Sequence, residues 1–73
     1  MSNEDIIIEK LLKDDEEFKN IYYEHRLLDE KVADLENKDE LTKQEELEVK
    51  QLKKLKLALK DKMQQIILTF KNN

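Results

Sequence analysis

The sequence predicts an all-α fold: an antiparallel two-helix hairpin, coiled-coil-like, led by a short N-terminal helix that is kinked or separate. Three observations carry this. The 73 residues include no Gly and no Pro, so the usual punctuation of turns and sheets is missing. Some 44% of the chain is charged, and its apolar residues recur at helical spacing rather than in strict alternation. Two stretches with helix-start chemistry divide that pattern into three segments, within a single domain spanning 1–73.

The leading helix is expected over about 4–13, where Ile6, Ile7, Ile8, Leu11 and Leu12 supply the apolar residues. Asp14-Asp15-Glu16-Glu17 then looks like a second start. Asp14 with Glu17 three residues later resembles a capping box, and acids favour a first turn. A kink or break near Asp14 is expected; the alternative is one continuous helix with Asp14 in solvent.

The main helix is expected over about 15–37. From Phe18 its seam residues step by 3, 4, 3, 4, 3. Phe18, His25 and Val32 take one core position of a heptad, and Ile21, Leu28 and Leu35 take the other. Residues 38–42 have no such period, and Asn and Asp bend a chain without glycine, so the turn belongs there. Thr42 with Glu45 makes a capping box for a last helix over about 43–70, with Asn72 and Asn73 frayed.

A short connection makes the two long helices antiparallel neighbours. A turn centred near residue 40 sets Leu28 against Leu52, His25 against Leu55 or Lys56, Ile21 against Leu59, Phe18 against Met63 and Leu11 toward Phe70. Charge supports the pairing. Residues 1–42 hold 14 acids and 6 bases, hence −8; residues 43–73 hold 4 acids and 8 bases, hence +4. Ion pairs such as Glu24 with Lys56 or Glu30 with Lys50 are expected to set register more than stability.

Composition also narrows the function. The net charge of −4 argues against a general nucleic-acid binder. The acidic start and short apolar run of MSNEDIIIEKLLKDDEE do not fit a signal peptide, and no apolar run approaches the ~18–20 residues that span a bilayer. A cytoplasmic location is expected, and zero Cys fits a reducing compartment. So short a chain buries little core alone, which makes self-association a strong expectation.

Two stretches stand out together: EHRLLDEKVADLE at 24–36 and LKKLKLALKDKM at 52–63. An E-H-x-x-L-D segment, a turn, then L-K-K-x-K-L-x-L-K-D resembles the YdcH-like family of small bacterial proteins of unknown function, over about residues 15–68. The matching positions are Glu24, His25, Leu28, Asp29, Leu52, Lys53, Lys54, Lys56, Leu57, Leu59, Lys60 and Asp61. The resemblance implies a helical hairpin and carries no catalytic role. The chain departs from the family pattern at Leu55, where a polar residue is usual, and in lacking Gly or Pro at the turn or before the main helix.

The candidate sites follow. His25, the single histidine, sits on the seam beside Glu24 and near Asp29. With no Cys and no Glu-x-x-His pair, a metal site lacks ligands, so Glu24, His25, Asp29 and Lys56 read as polar contacts that fix register; a pH switch is the sharper alternative. Lys50, Lys53, Lys54, Lys56, Lys60 and Lys62 spread around the helix without interleaved aromatics, so a solvated, internally paired face outweighs a polyanion site. One ring of Tyr22-Tyr23 is expected to pack and the other to be exposed. Asp14 to Glu17 lack the spacing and the glycine of an EF-hand loop.

The open end is the informative feature. Ile6, Ile7, Ile8, Leu11 and Leu12, with Ile66, Ile67, Leu68 and Phe70, form consecutive apolar runs that one seam cannot cover on all sides. These observations predict a non-enzymatic interaction or scaffold module without catalytic residues, metal or cofactor. It is expected to act through helix packing as a homo-oligomer, a dimer forming a four-helix bundle through the open end. An unknown protein partner is the other occupant. The alternative function is a polyanion- or RNA-binding accessory protein using the lysine face of 50–62; membrane binding is disfavoured by the acidic N-terminal segment.

Overall fold

The computed structural model describes residues 2–72 and is all-α. Its elements are α1 (Asn3–Asp14), α2 (Glu16–Glu36) and α3 (Lys43–Asn72). Thirty residues of α3 rise about 45 Å at 1.5 Å each, which accounts for the 47 Å long dimension of the molecule. The largest interface lies between α2 and α3, and α1 touches both.

Each helix starts on a side-chain cap. At α1 the Ser2 hydroxyl accepts the Asp5 N–H at 3.2 Å, and the Asp5 carboxylate accepts the Ser2 N–H at 3.4 Å. Thr42 and Glu45 repeat that exchange at α3, both bonds at 3.0 Å. The Ser2–Asp5 box was readable at the same three-residue spacing but was not anticipated.

Between α1 and α2 the break is a single residue, Asp15, with φ −118° and ψ 105°. Its N–H closes α1 on the Leu11 carbonyl at 2.8 Å, and its side chain accepts the Phe18 N–H at 3.0 Å to open α2. The cap therefore falls one residue after the expected Asp14. The reason is local: capping at Asp15 places Phe18 on the core side of the first turn, and Phe18 is 1% exposed. At the other end α2 closes on Asn37, and the connection runs to Thr42. The last helix continues to Asn72, so the expected fraying of that residue is not seen; Asn73 lies outside the described residues.

The expected seam of α2 is turned inward throughout: Phe18, Ile21 and Val32 are buried, and His25, Leu28 and Leu35 half-buried. On α3 the inward positions are Val49, Leu52, Lys56, Leu59, Met63, Ile66 and Ile67. Leu47 and Leu55, expected among the apolar contacts, are exposed, and Lys56 occupies the seam instead.

The register also differs from expectation. Lys56 bonds Asp29 rather than Glu24, and Lys53 bonds Glu36. Phe18 joins a core cluster with Ile67, with Met63 packed beside them. Such a shift is close to one turn, and apolar positions recurring every three or four residues let apolar meet apolar again after a slide of that size. Hydrophobic matching alone could not distinguish the two registers.

Candidate functional site

The open-end residues are brought together, and α1 covers much of them. Leu11, Phe18 and Ile67 form the buried cluster, with Ile7, Ile8, Leu12, Tyr22, Met63 and Ile66 packed against it. Leu11 and Ile67 are thus occupied within the chain. Ile6 at 46% exposure and Phe70 at 40% remain open to solvent, with Leu68 nearby in sequence and also exposed.

Along the pair of long helices the two flanks are unlike. One carries Tyr22, Asp29 and Glu36 of α2, spaced by seven, and the side chains of Lys53, Lys56 and Lys60 of α3. Lys56 Nζ reaches the Asp29 carboxylate at 2.6 Å, and Lys53 reaches Glu36 at 3.1 Å. The hydrogen bond and charge of Lys56 hold the Asp29 carboxyl below its ordinary range, with a smaller contribution from His25. His25 is half-buried in the groove on this side, beside Arg26, Lys56 and Lys60. The Asp29 carboxylate, near His25 in sequence, is taken by Lys56. Glu24 is exposed and makes no ion pair among the described residues.

The other flank carries no ion pair between α2 and α3 among the described residues. A shallow depression joins Glu17 of α2 to Lys62, Gln65 and Ile66 of α3, with Leu11 and Phe70 at its floor and edge. Seven-residue steps stay on one side of a helix, so Glu24 and Lys31 continue this flank on α2, and Leu55 and Glu48 continue it on α3. A second depression joins Leu27 and Leu28 to Glu24 and Lys31. Leu27 is 64% exposed and Leu55 46%. The seam-based reading passed over Leu27, although the Leu27-Leu28 pair already signalled an apolar residue beyond the seam.

The lysine run is dispersed. Lys53 and Lys56 hold acids of α2, while Lys50, Lys54 and Lys62 are exposed elsewhere around α3. Tyr22 packs, its ring centroid 6.3 Å from that of Phe18, while Tyr23 is half exposed with its ring edge-on to Tyr22. Among the described residues no group of three or more His, Cys, Asp or Glu is placed to hold a metal ion. No helix among the described residues is long and apolar enough to cross a membrane.

Near the turn, Lys38 bonds Glu45, and the Thr42 backbone N–H donates to the same carboxylate. These bonds, that of Lys38 first, lower the Glu45 carboxyl from 4.5 to about 2.

Fold and surface together define a small, all-helical protein in which side-chain caps start the helices and two ion pairs bridge α2 to α3. Residues 18–67 match the family described as Protein of unknown function (DUF465), and the chain belongs to that family, consistent with its YdcH-like resemblance. The match begins at Phe18, so it takes in most of α2 and α3 and leaves α1 outside. No curated protein and no solved structure matches the sequence.

Proposed function

We propose that the chain is an antiparallel helical hairpin acting as a non-enzymatic, cytoplasmic interaction module that self-associates through helix packing. Support for the hairpin comes from contact order: Asp29 with Lys56 and Glu36 with Lys53 run in opposite directions along the two helices. The observation that carries self-association is the set of large apolar side chains left in solvent away from the α1-covered end, Leu27, Leu47, Leu55 and Leu57. Burying the exposed part of each would gain about 1–2 kcal/mol, and a chain of 73 residues has little other core to draw on.

The expected open-end interface is retained only as a rim. Ile6 and Phe70 are available to a partner there, whereas Leu11 and Ile67 are already consumed. The polyanion reading is weakened by the engagement of Lys53 and Lys56 with carboxylates.

Sedimentation equilibrium over a hundredfold concentration range tests the proposal. The expected result is a mass of twice 8.8 kDa that falls toward 8.8 kDa on dilution. A monomer throughout, or salt-sensitive retention on RNA by a monomeric chain, would overturn it.

A further inference from the structure

We propose that the unbridged flank is a face for a second copy of this chain, related by a two-fold axis parallel to the helices, so that α2 of each copy packs on α3 of the other. The proposal rests on the self-association just described and assigns its surface and geometry.

Three observations choose this flank. It carries Leu27, Leu28 and Leu55, while the opposite flank, which holds Leu57, is spanned by the Asp29–Lys56 and Glu36–Lys53 bridges. Seven-residue steps from Glu17 to Glu24 on α2 and from Lys62 to Leu55 on α3 put the Leu27 depression and the one edged by Ile66 and Phe70 on the same side, so the exposed rim of the open end belongs to this face. Its size is also adequate. The molecule measures 47 × 20 × 19 Å, and a long side offers roughly 900 Å², close to the ~800 Å² per partner of a standard interface.

Charge then selects the axis. Two face-to-face hairpins can be related by a two-fold axis across the helices or along them. The first stacks α2 on α2, acid on acid. The second stacks α2 on the partner's α3, and these helices carry −4 and +4 (7 acids and 3 bases against 4 acids and 8 bases). The axis along the helices also keeps heights unchanged. Asp29 and Lys56 mark one height in each copy, so Leu27 and Leu28 of one copy meet Leu55 of the other at that level. About one and a half turns toward the open end, Glu24 faces Lys62 of the second copy. Such an interface is isologous and closes at two copies.

The chain has no Cys, so single cysteines report geometry cleanly. Leu27→Cys and Leu55→Cys chains are mixed and oxidised, each also being oxidised alone. The expected product is the mixed 27–55 disulfide, at least tenfold over either self-linked product. A dominant 27–27 disulfide would overturn the proposed axis.

Sedimentation of the Leu27→Glu/Leu55→Glu chain is the companion test, with Leu57→Glu/Leu68→Glu as the control. Leu57 and Leu68 are 59% and 54% exposed and line neither depression of the unbridged flank; Leu57 stands one heptad from Gln64, on the bridged side. The first variant should weaken dimerisation at least 100-fold with helicity kept by circular dichroism; the control should remain a dimer. If the first variant stays dimeric at the wild-type affinity, the assigned face is wrong while self-association stands. If the variant dissociates only with loss of helix, the disulfide result decides. If the unmodified chain is monomeric throughout, both the face and the self-association fall.

Discussion

The two ends of the molecule are built differently. At the open end three helices meet around Leu11, Phe18 and Ile67, with six further apolar or aromatic residues packed on them. Toward the turn only two helices remain. Val32 and Val49 are buried there, outside that cluster, and the fastening is polar: Glu36 with Lys53, Lys38 with Glu45 and the Thr42–Glu45 cap. Apolar packing is expensive to remove and insensitive to salt, while exposed bridges contribute little each and are screened. The open end is therefore the anchor of the fold, and the turn end sets its direction and register.

Substitutions should separate the ends by size of effect. Phe18→Ala should cost about 3–5 kcal/mol, enough to abolish a cooperative melt in so small a domain, as followed by circular dichroism. Leu11→Ala or Ile67→Ala should cost about 2–5 kcal/mol, against roughly 1–2 kcal/mol for Val49→Ala at the turn end, in denaturant titrations. Equal costs for Ile67 and Val49 would erase the distinction between the ends. Asp15→Ala should cost about 1 kcal/mol and Asp14→Ala close to none, because only Asp15 accepts the Phe18 N–H.

The smallest effect concerns acid. The Glu45 carboxyl is depressed from 4.5 to about 2 in the folded chain. The stability it contributes is therefore present above pH 4.5 and is lost as pH falls from about 4.5 to about 2. Glu45→Gln should flatten that part of a pH titration of melting temperature while leaving the open-end core intact. A titration unchanged by the substitution would remove Glu45 from the turn's support.

Much of this was legible in residue order. The seam from Phe18 to Leu35 is a regular heptad, and the Thr42–Glu45 box is a spacing rule, so both were readable. Register was not, because periodic helices tolerate a slide of one turn, and the partners that meet, Lys56 with Asp29, Lys53 with Glu36 and Phe18 with Ile67, depend on tertiary placement. Nor was the cap position within Asp14-Asp15, where two identical side chains compete and Phe18 decides. The open-end residues were found from consecutive apolar runs, but their distribution between α1 packing and solvent depends on tertiary placement. Leu27 and Leu55 were visible as leucines, not as members of one face.

Hydrogen exchange of the full chain at high and low concentration is the most direct test of the central claim, that the open end is packed within one chain and the unbridged flank between two. Protection around Leu11, Phe18 and Ile67 should be unchanged on dilution, while amides around Leu27, Leu28 and Leu55 exchange faster. If protection fell first at Leu11 and Ile67 and held at Leu27 and Leu55, the open end would be the interface and the account would be contradicted.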